Sequence, residues 1–121
     1  MKQNILYQIY MGRKCVYVGT TTTDLTSTLR MNFFGNEDTL DLERVSKIEY
    51  TTLPSYADCL VYKTYLVNLN KPIYNKTDKA RDNISQTICL PSLKFIEYNN
   101  PIIEKWKAML KNEQLNLFEQ F

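Results

Sequence analysis

The stretch ILYQIYMGRKCVYVGT near the start of the chain constrains the fold more than any other part of the sequence. Its two runs, Ile5 to Tyr10 and Cys15 to Val18, are rich in the β-branched and aromatic residues that favour β-strands. The residues between the runs, which include Gly12, can form a tight turn. The stretch therefore predicts a β-hairpin.

Length and composition indicate one globular domain. The chain has 121 residues, of which 44% are hydrophobic and 23% are charged, as is usual for a domain with a single core. Its 15 basic and 13 acidic residues leave a net charge of only +2. Any contact with nucleic acid must therefore come from local clustering of charge rather than from a basic chain.

The residue types that are missing exclude several kinds of chemistry and of location. The chain contains no histidine, so catalytic triads of the usual kind are excluded, and any catalysis must use Tyr, Lys, Arg or carboxylates. Its three cysteines are widely spaced, which fits a reducing compartment and provides no zinc site. The start lacks a signal-like leader, and no apolar run approaches the ~20 residues that cross a bilayer. We therefore expect a cytoplasmic protein without membrane contact.

A helix and a third strand are predicted after the hairpin. Asp24 or an adjacent threonine can cap the helix, which then ends at Gly35 and Asn36. The third strand is predicted over Val45 to Leu53, because its apolar residues are followed by a proline.

Two further helices complete the predicted order. Ser55 can cap a helix whose apolar pattern ends before Pro72, and Asn100 followed by proline starts the last helix. The segment Thr87 to Ile96 is ambiguous, because a proline interrupts what could be a strand. The predicted class is α/β, with a C-terminal helical extension. We divide it into a domain over residues 1–83, an extension over 84–113 and a tail over 114–121.

Three short motifs in this order resemble the GIY-YIG nuclease domain over about residues 5 to 75. They are ILY in the first strand, YVG at the end of the second, and NKPIYN after the second main helix. In that family two tyrosines lie side by side at the cleavage site. The resemblance implies this role for Tyr7 and Tyr17, and DNA-binding positions for Gly19 and Asn75; the alternative is that the two tyrosines are amphipathic core residues. The resemblance also implies a small three-stranded antiparallel sheet flanked by helices. Ile5 stands where the family has its first glycine.

The position of the family's metal-binding glutamate is occupied by Lys63, counting back from Pro72. No Asp or Glu occurs from Tyr62 to Lys71 to replace it. An ammonium about 4 Å from a divalent ion, at an effective dielectric constant near 20, is repelled by roughly 8 kcal/mol. Magnesium also prefers oxygen ligands. We therefore expect no metal site, with Lys63 either binding a DNA phosphate or remaining a solvated helix lysine.

The family's phosphate-binding arginine is displaced as well. The resemblance places Thr28 at its position and Asn32 where a histidine is common. Arg30 lies two positions further along, about 200° around a helix, and faces elsewhere unless the register slips. We retain Tyr7, Tyr17 and Arg30 as a vestigial catalytic set.

The tail QLNLFEQF, residues 114 to 121, is similar to the peptide by which bacterial replication and repair proteins dock on the DNA sliding clamp. The similarity implies that Gln114 supplies hydrogen bonds while Leu115, Leu117 and Phe118 enter an apolar pocket. Burying three such side chains contributes roughly 5 to 9 kcal/mol before ordering costs. A micromolar complex corresponds to ~8 kcal/mol. The alternative is that these residues pack back on the domain as a final turn.

Three functions remain open from the sequence. The preferred one is a GIY-YIG-like pseudo-nuclease of replication and repair, without cofactor, that binds DNA or a DNA-processing partner and is recruited through the sliding clamp. The second is an active endonuclease dependent on Mg or Mn, in which Arg30 holds the phosphate and Asp58 or Glu49 binds the metal. In that case the resemblance implies that Tyr7 activates the water. The third is a clamp-binding inhibitor or adaptor that does not bind DNA. The composition hints at an AT-rich source, such as a low-GC bacterium, its phage or a mobile element.

Overall fold

The computed structural model describes residues 3 to 35 and 40 to 119, with side chains described as far as residue 112. All the strands in these ranges form one antiparallel sheet with the order β2-β1-β3-β4. The elements in chain order are β1 (Asn4–Met11), β2 (Lys14–Thr21), α1 (Leu25–Phe34), a short 3₁₀ helix (Leu42–Arg44), β3 (Lys47–Leu53), α2 (Tyr56–Asn70), β4 (Ile96–Glu97) and α3 (Ile102–Glu119).

The predicted hairpin and helix starts are confirmed. Gly12 in the β1–β2 turn has a φ of +63°, which a glycine adopts without strain. Asp24 accepts a hydrogen bond from the backbone N–H of Ser27 and caps α1, and Ser55 caps α2 in the same way. Each of these residues determines the structure of its own turn or helix end, so the sequence alone was enough to predict it.

The sheet has four strands, so the prediction of three was wrong. The additional strand, β4, contains two residues and pairs with β3 through Glu49 opposite Glu97 and Tyr50 opposite Ile96. Tyr98 follows it and packs edge-on against Tyr50, with ring centroids 6.4 Å apart. Long-range packing therefore creates this strand, at the end of the segment that the sequence left ambiguous.

Alternation along β1 gives the sheet two apolar faces. Ile5, Tyr7 and Ile9 point to one side, which we call the tyrosine face, and Leu6 points to the other, the α2 face. The tyrosine face is covered by buried residues of α1 and α3, namely Leu25, Leu29, Phe33 and Trp106. The α2 face packs against Cys59 and Val67. In the described ranges, no helix is long and apolar enough to span a membrane.

The outer edge of β2 is closed by the segment after α2. The Oδ1 atom of Asn75 accepts a hydrogen bond from the backbone N–H of Val18 at 2.8 Å. Its Nδ2 atom donates to the carbonyl of the same residue at 2.9 Å. Tyr74 adds a backbone hydrogen bond to the carbonyl of Val16 at 3.0 Å. The buried amide of Asn75 therefore pairs with the edge strand as another strand would.

Replacing Asn75 with Ala should lower the free energy of unfolding by about 2 to 4 kcal/mol, because two buried backbone groups of Val18 lose their partner. Urea denaturation measures this change. The matched control is Asn83→Ala, at an exposed asparagine, which should change stability by less than about 0.5 kcal/mol. Equal effects of the two substitutions would contradict the structural role of Asn75.

Candidate functional site

Tyr7 and Tyr17 lie together on the tyrosine face. Their ring centroids are 6.0 Å apart and their planes are inclined at 46°. A β-bulge between Tyr17 and Cys15 leaves Val16 as the extra residue of β2. As a result, Val16 and Tyr17 both pack against the core of this face, although they are neighbours in the chain. The bulge thus helps to set Tyr17 beside Tyr7.

Gly19 lies directly opposite Tyr7 in the β1–β2 register, and the Tyr7 ring crosses it. A Cβ atom added at Gly19 would lie 2.5 Å from the Tyr7 hydroxyl oxygen and 2.8 Å from Cε2 of Tyr17. Real Cβ atoms do not approach other atoms this closely, so a side chain here would displace both rings. The structure therefore gives Gly19 a packing role in the tyrosine pair.

The Tyr7 hydroxyl is held in a dry environment. Tyr7 is only 1% exposed, and its oxygen accepts a hydrogen bond from Nδ2 of Asn32 at 2.6 Å. Burial raises the pKa of Tyr7 well above its ordinary value, and the neighbouring Tyr17 adds to the increase. Burial also raises the pKa of Tyr17. Both phenols are therefore protonated at neutral pH and provide no phenolate that could act as a base.

One face of α1 carries Asn32, which contacts Tyr7, and Thr28, which contacts β2. Asn32 and Thr28 are four residues apart and share this face, and Thr28 donates its hydroxyl to Thr21 on β2 at 2.9 Å. Arg30 is exposed, and helix geometry places it about 200° around α1 from Thr28. The sequence analysis named Asn32 but did not predict its contact with Tyr7. The spacing of four residues between Thr28 and Asn32, which puts both on one face of the helix, was the signal that could have indicated it.

Lys63 lies on the stripe of α2 that packs against the sheet, between the buried residues Cys59 and Val67. This stripe covers the α2 face, which is opposite the face that carries Tyr7. Lys63 is half-buried and has no hydrogen bond or ion pair with any residue that the structure describes. The structure thus brings Tyr7, Tyr17 and Gly19 together but leaves Lys63 on the other side of the sheet.

The two alternative carboxylates also lie away from the tyrosines. Glu49 is opposite Gln8 on the α2 face, where its Oε1 accepts hydrogen bonds from the Gln8 amide at 3.1 Å and the Tyr10 hydroxyl at 2.9 Å. Asp58 is exposed in the first turn of α2. Within residues 3–35 and 40–112, no group of three or more Cys, Asp or Glu side chains is placed to hold a metal ion.

The C-terminal residues are described by their backbone alone. Helix α3 continues to Glu119, so the backbone of 114–119 is helical and does not form a separate extended tail. The side chains of Gln114, Leu115, Leu117 and Phe118 lie outside the described residues. No protein-family model, no curated protein and no solved structure matches this chain.

The packing of Tyr7 over Gly19 predicts a strong coupling between the two positions. Gly19→Ala should destabilise the protein by about 1 to 3 kcal/mol, because the new methyl group overlaps the Tyr7 ring. In a Tyr7→Leu background the same substitution should cost about 1 kcal/mol less, because the ring atoms are gone. A double-mutant cycle by urea denaturation measures this coupling, and strictly additive effects would contradict the contact.

The buried phenol predicts a change at alkaline pH. Tyr7 has a pKa above its ordinary value of 10.0, so above pH 10 the unfolded chain releases a proton that the folded protein retains. Tyr7 therefore makes stability fall with rising pH, by up to ~1.4 kcal/mol per pH unit. Tyr7→Phe should show a correspondingly shallower fall from pH 10 upward in denaturation experiments. Identical slopes for the two proteins would contradict the burial of the ionisable hydroxyl.

Proposed function

We propose that this protein is a GIY-YIG-like domain without hydrolytic activity that binds DNA, and that its C-terminal segment recruits it to the sliding clamp. The observation that carries the proposal is the tyrosine pair packed over Gly19, with the Tyr7 hydroxyl buried and protonated. The same residues carry the sequence resemblance. A hairpin followed by helix, strand and helix, with β1 between β2 and β3, supports it further.

The environment of the tyrosines favours binding over hydrolysis. A general base must be accessible and must have a pKa near the working pH, whereas Tyr7 is buried and its pKa is raised. The side chain that reaches Tyr7 from α1 is the neutral amide of Asn32. Glu49, a carboxylate considered for a metal, is hydrogen-bonded on the opposite face. Binding a phosphate requires neither an accessible general base nor a metal ion.

A paired cleavage and binding assay tests the main proposal. Incubation with supercoiled plasmid and Mg²⁺ or Mn²⁺ should leave the plasmid intact, while anisotropy with a labelled duplex should show binding that weakens steeply with salt. Plasmid cleavage that Tyr17→Phe abolishes would instead support an active endonuclease. Absence of DNA binding at low salt would support the clamp-binding adaptor.

A titration with a bacterial sliding clamp tests the recruitment. The full chain should bind with a dissociation constant near micromolar, and Leu117→Ala with Phe118→Ala should weaken binding more than tenfold, because two large apolar side chains are lost. Asn116→Ala in the same segment is the matched control and should bind like the unmodified chain. Equal binding by all three proteins, or no binding by the full chain, would contradict the proposed recruitment by the sliding clamp.

A further inference from the structure

The turn of the β1–β2 hairpin lies against the start of β3. Ser46 donates its hydroxyl to the carbonyl of Gly12 at 2.8 Å and thereby ties the two segments together. Its backbone N–H also donates to the carbonyl of Tyr10 at 2.9 Å. Cationic residues flank both ends of this contact, in the turn and on either side of Ser46. We call them the hairpin cluster: Arg13, Lys14, Arg44 and Lys47.

The side chains of the hairpin cluster face solvent. All four residues are exposed, and Arg13, Lys14 and Arg44 make no side-chain hydrogen bond or ion pair with the part of the chain that the structure describes. Lys47 lies 3.5 Å from the carboxylate of Glu49 and sits over the Tyr10 ring, 4.5 Å from its centroid. Three of the four charges are therefore available to an external anion.

The carboxylates described near the cluster do not pair with Arg13, Lys14 or Arg44. Glu49 already accepts hydrogen bonds from Gln8 and Tyr10 in addition to its ion pair with Lys47. Glu43 and Glu104 line a cavity of about 480 Å³ together with Lys107 and Lys111, so the four charges around this cavity balance. Arg13, Lys14 and Arg44 therefore provide the unpaired positive charge at this end of the sheet.

We infer that the hairpin cluster binds the phosphate backbone of duplex DNA, at the turn end of the sheet and apart from the tyrosine pair. The inference rests on the proposed function, in which the protein binds DNA. Guanidinium and ammonium groups on adjacent segments match a row of phosphates, with Arg13 and Arg44 able to make two hydrogen bonds each. Lys14 begins β2 and Lys47 begins β3, with β1 between them, so two strand spacings, roughly 10 Å, separate these two positions across the sheet.

The test compares two variants of equal charge. Arg13→Gln with Lys14→Gln removes an arginine and a lysine from the hairpin cluster, and Arg81→Gln with Lys94→Gln removes the same pair from exposed positions elsewhere. Anisotropy with a short labelled duplex is measured over a range of salt concentrations. The hairpin variant should reduce the slope of log K against log salt by about 2 and weaken binding at least tenfold at low salt. The control should stay within about threefold of the unmodified chain.

Each remaining outcome overturns the inference in a distinguishable way. If the hairpin variant binds DNA with an unchanged slope of log K against log salt, the hairpin cluster does not contact the phosphates, while the proposed DNA binding stands. Equal losses in both variants show that binding depends on overall charge and not on this surface. No binding by the unmodified chain removes the proposed function and the inference together. Because all four substituted residues are exposed, thermal unfolding should be unchanged in both variants.

Discussion

The packing of the Tyr7 ring across Gly19 is the contact on which the candidate site depends. Because Gly19 has no Cβ, the ring can cross from the central strand β1 to the edge strand β2 and meet Tyr17. The same ring places its hydroxyl within reach of Asn32 on α1. Two strands and a helix are thus fixed by one side chain, and any change that moves the ring moves all three.

The tyrosine pair and the unpaired cations lie in different parts of the molecule. Tyr7 accepts a hydrogen bond from the neutral amide of Asn32, and burial raises the pKa of both phenols of the tyrosine pair. Unpaired cations collect at the turn end of the sheet, where the hairpin and the start of β3 meet. A DNA-binding protein with this arrangement would draw its affinity from the turn end, while the tyrosines act mainly in the core.

Local signals in the sequence predicted the hairpin, the helix caps at Asp24 and Ser55 and the α/β class, because each depends on residues close together in the chain. The sequence left the segment that ends at β4 ambiguous, because its two residues become a strand only by pairing with β3. The bulge at Val16 has no sequence signature, although Tyr17 depends on it. At the site, the resemblance of the motifs indicated Tyr7, Tyr17 and Gly19. The sheet face on which Lys63 lies depends on how α2 packs in three dimensions, which the sequence did not show.

The pairing of Asn75 with Val18 also affects how the molecule behaves among its own copies. An edge strand with free N–H and C=O groups is a template on which strands of other molecules can add, which leads to aggregation. In β2 these groups are occupied at Val18 by a side-chain amide and at Val16 by the backbone of Tyr74. The segment after α2 therefore protects the edge next to the tyrosine pair from sheet extension and helps to keep the molecules separate in a crowded solution.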